Sequence, residues 1–314
     1  MVGRLEFSLS HNRLSGSIPQ LEAKNIADFM GIIMRVQRTD ISYNFLTGTI
    51  PGLFALIPSF RYVDVSGNSF SGPIPGQAAI GGWQSLEYMD SSNNLFTGTV
   101  PIGFSAALTS LDVSNNRLGG TISLDIFSNF PKLEFLDLSN NPLEGQISSL
   151  LGNLGALRDF HVFNCNLTGV LPDNLSGLKS LEYFSVNDNH FEGAIPSSLG
   201  SLTLLREIDI GNNTLTGPLP IELGSLSLLD VLVVANNSLT GTLPTTLVFL
   251  RELKTFDVSG NDFVGTLPEG ICNNLEVTRA MVGCNLKCSC CFEDTTDIVC
   301  AGLESKTLFL NSTP

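Results

Sequence analysis

The chain has 314 residues, and its 30 acidic and 16 basic side chains give a formal net charge of −14. This charge disfavours binding to the phosphate backbone of nucleic acids, which needs a basic face. A hydrophobic content of 43% is enough to bury a large core, as one or two domains or as one long solenoid. No apolar run approaches the roughly 18 residues of a membrane span, and no signal peptide is visible at the N-terminus.

The most informative feature is an internal repeat. An Asn recurs along the chain, Cys165 takes its place once, and five successive intervals are 24 residues. We call each of these positions an anchor. Every anchor is followed by Gly four residues later and by Ile, Val or Leu six residues later. The anchors are Asn12, Asn44, Asn68, Asn94, Asn116, Asn141, Cys165, Asn189, Asn213, Asn237 and Asn261. The anchor, the Gly and the aliphatic residue recur together at fixed spacing, which predicts a solenoid of stacked coils.

Each part of the repeat predicts a local structure. Apolar residues alternate before each anchor, as at Leu136 and Leu138, which is typical of a short strand with one buried face. The Asn side chain is expected to bond backbone groups at the following turn, so that stacked amides form a ladder. The Gly permits the turn, and the Ile-Pro step after it predicts a second extended stretch. A segment such as 196–205 is then expected to return as short helical turns.

The consensus LxxLxLxxNxLxGxIPxxLxxLxx resembles the plant-specific class of leucine-rich repeat, and residues 205–228 match it closely. The resemblance covers about residues 5–268 and implies an α/β fold. That fold is a right-handed solenoid of about 11–12 repeats, with a parallel β-sheet on the concave face and short helical turns on the convex face. The family includes receptor-like ectodomains and secreted recognition proteins. The matching residues are structural, so they predict the fold better than the function.

The resemblance divides the chain into a solenoid over 1–268, a Cys-rich C-terminal cap over 269–301 and a tail over 302–314. The first repeat starts in mid-pattern without the cysteine-paired cap that is common in plant ectodomains. We expect it to be truncated, with a signal peptide and a cap upstream. The alternative is that this repeat is terminal and that a long amphipathic helix, predicted over 20–38, shields it.

The cysteines fall into two groups. Cys165 is interpreted as a buried ladder residue. The remaining six crowd the end of the chain: Cys272, Cys284, Cys288, Cys290, Cys291 and Cys300. An even set after the last full repeat favours three disulfides that staple a cap, with fifteen pairings open. Zinc is the alternative, although paired C-x2-C knuckles are absent. The LKCSCC segment resembles the cysteine-rich caps of secreted repeat proteins from diatoms and related algae.

Five glycosylation sequons fit an extracellular or cell-surface location, although an Asn- and Thr-rich repeat also produces them by chance. Their asparagines are Asn166, Asn174, Asn212, Asn236 and Asn311. The sequence contains no GxSxG, GxGxxG, Walker lysine or HExxH motif, and the three histidines lie on separate repeats. We therefore expect no enzyme activity, no catalytic residue, no metal site and no cofactor.

Two columns of side chains on the predicted concave face are the best indication of function. The acidic column comprises Asp40, Asp64, Asp90, Asp112, Asp137, Asp209 and Asp257. Further acidic residues are expected to reinforce it: Glu87, Glu134, Asp159, Glu182, Glu207 and Asp230. The aromatic residues are Tyr62, Tyr88, Phe135 and Tyr183, with Tyr43 outward in its own strand. Solubility and cross-strand packing are the simpler interpretations of these columns, and ligand recognition is the other.

We predict a receptor-like extracellular recognition module that binds a protein or peptide, possibly a basic one, on its concave face. The chain could also be the extracellular fragment of a receptor kinase. The ligand-binding residues are expected in the N-terminal half: Tyr43, Tyr62, Tyr88, Phe135, Asp40, Asp64, Asp90, Asp112 and Asp137. One alternative is an inhibitor of secreted polysaccharide-degrading enzymes. The other is an adhesive protein that binds glycan, mineral or ice through a Thr- and Asn-rich surface. No nucleic-acid partner is expected.

The even cysteine count predicts three disulfides among the six C-terminal cysteines, and a thiol at Cys165. Loss of one native bridge is expected to cost about 2–5 kcal/mol of stability. Mass spectrometry of the secreted protein should find a single alkylatable cysteine, and only after unfolding. Stoichiometric zinc bound to six reduced thiols would contradict the prediction.

Overall fold

The computed structural model describes residues 5–19, 35–52, 54, 57–75, 83–272, 277, 279–283, 286–287 and 306–308. The chain divides into two compact units, Met1–Gly145 and Gln146–Pro314. In each unit a coil consists of a short strand, a turn that carries the ladder residue, a second short strand and a return segment. Successive coils pair through parallel strands, as the repeat predicts.

The first sheet of the first unit is parallel, and its neighbouring strands come from successive coils. Its strands are β1 (Leu5–Ser8), β3 (Val36–Asp40), β5 (Tyr62–Asp64), β7 (Tyr88–Asp90), β9 (Ser110–Asp112) and β11 (Phe135–Asp137). The second strands of the coils pair among themselves. They are β2 (Ser15–Ser17), β4 (Phe45–Gly48), β6 (Ser69–Pro73), β8 (Leu95–Thr97), β10 (Gly120–Thr121) and β12 (Leu143–Gly145).

The second unit repeats this arrangement. Its first-sheet strands are β13 (Asp159–His161), β15 (Tyr183–Ser185), β17 (Glu207–Asp209), β19 (Val231–Val233), β21 (Thr255–Asp257) and β24 (Arg279–Val282). Its second strands are β14 (Asn166–Val170), β16 (His190–Ala194), β18 (Thr214–Gly217), β20 (Ser238–Gly241), β22 (Asp262–Phe263), β23 (Gly265–Thr266) and β25 (Leu286–Lys287). The last strand, β26 (Lys306–Leu308), pairs antiparallel with β24.

Alternation of side chains explains both strands of a coil. Leu136 and Leu138 are fully buried, because every second residue of the first strand faces the core. The second strand comes earlier than predicted. In β18 it ends at Gly217, whose φ of 79° turns the chain. The Leu219-Pro220 step therefore follows the strand instead of forming it, because Pro has no N–H to donate to a neighbouring strand.

Five return segments of the second unit are single 3₁₀ helices, so the helical turn predicted within 196–205 is confirmed. They are Ser149–Asn153, Leu175–Gly177, Ser197–Ser201, Ile221–Ser225 and Thr245–Phe249. The described α-helices are α1 (Leu124–Asn129) and α2 (Glu269–Cys272). None of the helices in the described part of the chain has the length and apolar character needed to cross a bilayer.

Two repeats lack the Pro that usually precedes the return segment, and there a serine caps the helix instead. The Ser123 hydroxyl accepts the Asp125 N–H at 3.3 Å, and the Ser148 hydroxyl accepts the Leu150 N–H at 3.1 Å. Each bond satisfies a backbone donor that the first helical turn leaves without a partner. The exceptions to the consensus therefore retain a defined helix start.

The helix predicted over 20–38 is wrong at its C-terminal end. Residues 36–38 belong to strand β3, where Arg38 pairs in register with Tyr62 of the next coil. Pairing with neighbouring strands overrides the helical pattern of the isolated segment. Residues 20–34 lie outside the described part of the chain, as do Asn311 and these cysteines: Cys284, Cys288, Cys290, Cys291 and Cys300. The disulfide cap therefore remains a prediction.

The ladder asparagines join each coil to the one before it. Asn141 is 2% exposed, and its Nδ2 donates to Val113 O at 2.9 Å and to Leu138 O at 3.1 Å. Its Oδ1 accepts the Leu118 N–H at 3.0 Å. The same pair of bonds to the preceding coil is made by Asn44, Asn68, Asn94, Asn116, Asn189, Asn213, Asn237 and Asn261.

The other two anchors differ. Asn12 is exposed and donates within its own turn, to Leu9 O at 3.1 Å and Ser10 O at 2.9 Å. Cys165 is a buried thiol at a ladder position, with Sγ 3.5 Å from Phe163 O. A thiol is a weak donor and acceptor, so this coil receives less from its ladder residue than its neighbours do.

We predict that Asn141→Ala lowers the free energy of unfolding by ~1–3 kcal/mol, because buried backbone groups of two coils lose their partner. The matched control is Glu144→Ala in the same coil, where the side chain is exposed. Denaturant titrations of both variants give the comparison. Equal losses of stability would show that the amide does not hold the coils together.

Candidate binding surface

The first sheet of the first unit presents two adjacent columns of side chains. Strands β3, β5, β7, β9 and β11 place one residue each in the aromatic column: Arg38, Tyr62, Tyr88, Ser110 and Phe135. Two residues later each strand contributes to the aspartate column: Asp40, Asp64, Asp90, Asp112 and Asp137. Residues two apart in a strand share a face, so both columns lie on the outer face of the sheet.

The aromatic column contains a three-membered stack. The rings of Tyr62 and Tyr88 are parallel within 2°, with centroids 4.3 Å apart. The guanidinium carbon of Arg38 lies 3.5 Å from the centroid of Tyr62 on the neighbouring strand. Arg38 was missed in the sequence analysis, although its position two residues before Asp40 is the signal that places it in this column.

The aspartates of the column have a structural role, because each accepts a backbone N–H of its own turn. Asp112 Oδ1 accepts the Ser114 N–H at 2.9 Å, and Asp64 Oδ1 accepts the Ser66 N–H at 3.0 Å. The same bond two residues on is made by Asp40, Asp90, Asp137, Asp209 and Asp257. A carboxylate in this geometry closes the turn that leads to the ladder residue.

Burial favours the protonated form of two aspartates, Asp90 and Asp112, and of both phenols in these columns. Burial raises the pKa of Asp112 to about 7, and the carboxylates of Asp90 and Asp137 add to the rise. Burial also raises the pKa of the Tyr62 and Tyr88 phenols, with the nearby aspartates contributing. The phenols therefore remain donors, and Tyr62 Oη lies 3.3 Å from the Oδ2 of the aspartate on its own strand. Among the described residues, no cation forms an ion pair with Asp112.

Tyr43 lies in a different place from the one predicted. Tyr43 is in the turn after β3, with a φ of 50°, and the residue is 53% exposed. Its ring stacks on His11 at a centroid distance of 4.6 Å. The residue before a ladder Asn takes the left-handed conformation, and this turns Tyr43 away from the aromatic column.

The flanking acidic residues do not all reinforce the acidic face. Glu182 pairs with Arg158 at 2.6 Å and with Arg206 at 3.2 Å, and these hydrogen bonds lower the pKa of its carboxyl. Glu87 pairs with Arg61, and Asp230 pairs with Lys254 at 3.4 Å. All of these residues come one position before the aromatic column. Basic side chains from neighbouring coils thus compensate three of the carboxylates that were expected to form acidic surface. Burial raises the pKa of Asp159.

The aspartate column is interrupted in the second unit. The equivalent positions on β13, β15, β17, β19 and β21 are His161, Ser185, Asp209, Val233 and Asp257. Tyr183 lies between Asp159 and Glu207 in register, without an aromatic neighbour in its column. An unbroken row of carboxylates beside stacked rings is therefore a feature of the first unit.

The sequon asparagines within the described residues are exposed: Asn166, Asn174, Asn212 and Asn236. Two of them belong to a row of side chains that the sequence analysis missed. Asn236 Nδ2 donates to Asn212 Oδ1 at 2.8 Å, and Asn212 Nδ2 donates to Asp188 Oδ1 at 2.9 Å. The described part of the chain contains no group of three His, Cys, Asp or Glu side chains placed to hold a metal ion.

Comparison with family models identifies the repeats. Residues 106–152 match the model "Leucine Rich repeats (2 copies)". The model "Leucine Rich Repeat" matches residues 156–178, 180–202, 204–226 and 252–274. The repeats in these matched segments are leucine-rich repeats.

Plant receptor-like proteins carry similar leucine-rich repeats. Receptor-like protein 54 of Arabidopsis thaliana is 35% identical over 173 residues, which cover 54% of this chain and 21% of that protein. The match thus spans about a fifth of the length of this relative. The ectodomain of the Arabidopsis receptor kinase HAESA, solved with the peptide hormone IDA and the co-receptor SERK1, superposes with a TM-score of 0.80. It is 26% identical, over 90% of this chain and 45% of that one.

A second solved structure, that of a TDR receptor, gives a TM-score of 0.73 at 26% identity, over 89% of this chain and 51% of that one. These similarities confirm the fold expected from the repeat: a leucine-rich-repeat solenoid of the kind found in plant receptor ectodomains.

The raised pKa of Asp112 predicts a pH-dependent stability. The folded state favours the protonated carboxyl of Asp112. The stability that this protonated group contributes is fully present below about pH 4 and is lost as the pH rises through about 7. Asp112→Asn removes the charge and keeps an oxygen for the Ser114 N–H. The stability of the variant relative to wild type should therefore rise by ~1–3 kcal/mol between pH 4 and pH 8.

Chemical denaturation across this pH range measures the difference. Glu144→Gln is the control, because it removes one carboxylate at an exposed position of the same unit. Parallel stability curves for Asp112→Asn and wild type would contradict the prediction.

Proposed function

We propose that the chain is a non-enzymatic, receptor-like recognition module that binds a peptide or protein on the first sheet of its first unit. The observation that carries this proposal is that the stacked rings of Tyr62 and Tyr88 lie beside the unbroken aspartate column. Stacked phenols offer rigid contact area at a small entropic cost, and the carboxylates orient a charged partner. The location that suits this role is extracellular or at the cell surface.

The comparisons support the peptide-binding part of the proposal. The HAESA ectodomain, whose structure resembles this chain, was solved with a bound peptide hormone. Plant peptide hormone receptor RGFR1, solved with RGF2, also resembles it, with a TM-score of 0.62 at 26% identity. An extended peptide is a suitable occupant for a row of parallel strands, because it can cross several coils and contact one side chain from each.

Charge complementarity favours a basic partner. Neighbouring strands of a sheet are about 4.8 Å apart, so the five carboxylates of the aspartate column are closely spaced, and those that are ionised form a negative row. Burial raises the pKa of Asp90 and Asp112, so the negative charge of the row increases as the pH rises. The Oδ1 atoms of the five aspartates are committed to the turns, but a carboxylate has a second oxygen that can accept further bonds. Attraction between this row and a basic segment should accelerate association and should weaken with salt.

A second candidate function, binding to an extended surface such as glycan, mineral or ice, is favoured by one observation. The second strands present exposed threonines in both units: Thr47, Thr97, Thr168, Thr214, Thr216 and Thr240. Adsorption to such a surface would use this face and not the aromatic column. Binding that survives loss of the tyrosines and fails on loss of the threonines would support this second candidate.

The proposed function predicts which variants lose the partner. Capture from secreted proteins and peptides identifies a binder, and titrations then measure its affinity. Tyr62→Ala/Tyr88→Ala should weaken binding by about tenfold or more, because central aromatic residues dominate interface energies. Raising the salt concentration from 50 to 500 mM should weaken binding of the partner to the wild-type protein.

Asp209→Ala/Asp257→Ala is the matched pair in the second unit, where the aspartate column is interrupted. This pair should leave the affinity unchanged. Loss of binding in this pair with full binding in the tyrosine pair would show that the proposed face is wrong. Capture of a secreted polysaccharide-degrading enzyme would indicate an inhibitor instead of a receptor-like role.

A further inference from the structure

The aromatic column of the first unit already contains one arginine that stacks on a tyrosine. The guanidinium carbon of Arg38 lies 3.5 Å from the centroid of the Tyr62 ring, and Nη2 is 3.7 Å from Asp40 Oδ2. The cation therefore contacts a ring on the neighbouring strand and a carboxylate on its own strand. Guanidinium suits both contacts, because it is planar, stacks on aromatic faces and pairs with carboxylates.

The other end of the same stack lacks the cation. Tyr62 is covered by Arg38 on one face and by Tyr88 on the other, at a centroid distance of 4.3 Å. The residue in register beyond Tyr88 is Ser110, whose side chain is too small to cover a phenol ring. Strand β9 thus places Ser110 where β3 has Arg38, at the opposite end of the tyrosine pair.

The carboxylate of this arrangement is present at both ends. Strand β9 carries Asp112 two residues after Ser110, as β3 carries Asp40 two residues after Arg38. Asp112 lies in register between Asp90 and Asp137, so its immediate neighbours in the column add negative charge. The β9 end of the stack therefore has the ring and the carboxylate of an arginine site, and a serine at the position of the arginine.

We propose that the face of Tyr88 above Ser110 is a subsite for an arginine side chain of the partner, which stacks on the ring and pairs with Asp112. This subsite rests on the proposed function, because it lies within the face assigned to the partner. It gives the recognised segment a defined chemistry: an exposed arginine whose guanidinium takes the place that Arg38 takes on Tyr62.

The dimensions of the sheet fit one planar group. Phe135 follows Ser110 in the aromatic column, so Tyr88 and Phe135 are two strands apart, or about 9.6 Å. A flat group that stacks about 3.5 Å from one ring fits within this distance. A neutral ring in this place would desolvate the neighbouring carboxylates without pairing them, whereas a guanidinium compensates them. Lysine lacks the planar surface needed for stacking.

Small probes test the subsite without knowledge of the natural partner. The chain has four tyrosines, so protein labelled with 3-fluorotyrosine gives a small set of fluorine resonances, and Tyr88→Phe assigns the line of interest. Titration with N-acetyl-arginine amide should shift the Tyr88 line. N-acetyl-lysine amide should bind at least about fivefold more weakly. A Tyr88 line that ignores the arginine probe, or that responds equally to both probes, would overturn the subsite.

Two substitutions on β9 sharpen the test. Asp112→Asn should weaken the arginine probe about five- to tenfold, because the ionic partner is lost while the turn keeps its acceptor. Asp257→Asn, the matched change at a turn of the second unit, should have no effect. Ser110→Arg should shift the Tyr88 line without any probe and abolish the response to it, since the new guanidinium repeats the arrangement of Arg38. An unchanged response in both β9 variants would contradict the proposal.

The dependence on pH provides an independent measurement. Burial and the flanking carboxylates of Asp90 and Asp137 raise the pKa of Asp112 to about 7, and the Tyr88 phenol beside them stays protonated. The probe does not titrate near neutral pH, so its dissociation constant should fall about five- to tenfold between pH 6 and pH 8 as Asp112 ionises. A flat profile would contradict the role of Asp112.

The outcomes separate this proposal from the proposed function. If the probe fails but a captured partner is lost on Tyr62→Ala/Tyr88→Ala, the face binds its partner without an arginine subsite. If the probe binds as expected but the captured partner ignores these tyrosines, the proposed face is wrong for that partner.

Discussion

Hydrogen bonds between the ladder asparagines, from Asn44 onward, and the preceding coil are the interaction on which both units depend. One amide accepts a backbone N–H and donates to a backbone C=O of the coil before it, as Asn141 does with Leu118 and Val113. The carbonyl belongs to the residue just after the first strand, and the N–H lies in or just before the second strand, as at Phe96 in β8. Leaving these groups buried without partners would be costly. The amide therefore fixes the spacing of the coils and the register of the strands beside it. Every side-chain column on the first sheet inherits its alignment from this contact.

The candidate binding face is built from groups that the fold already uses. Each aspartate closes a turn with Oδ1, so its place in the column is a structural requirement first. The same requirement lines up a second carboxylate oxygen on each of the strands β3, β5, β7, β9 and β11, beside the tyrosine stack. The structural and the functional interpretations of the column are thus compatible, because different oxygen atoms serve them. The distinctive part of the surface is the identity of the residues two positions earlier, which the turn does not constrain.

The sequence predicts the local structure that repeats within one coil. It does not reveal the side-chain contacts that form between two neighbouring coils. Anchor, glycine and alternating leucines are local patterns, and the strands, turns and 3₁₀ helices follow from them. Arg38 was missed because its partner, Tyr62, is on the next coil and becomes visible only when the register is known. Glu182 was counted as acidic surface because Arg158 and Arg206 are each one coil away. Tyr43 was misplaced by one conformational detail, the left-handed backbone of the residue before the ladder.

The return segments carry a further consequence for how such a chain changes over time. Intervals between anchors range from 22 to 32 residues in the first unit and are 24 in the second, yet the strands and turns keep the same form. Insertions and deletions are absorbed where the coil returns, as at Trp83, whose indole is buried and donates to Phe54 O at 2.7 Å. Length variation is thereby separated from the outer face of the first sheet. Lineages can add or trim residues there, or exchange single side chains in the aromatic column for a new ligand, and neither kind of change disturbs the other.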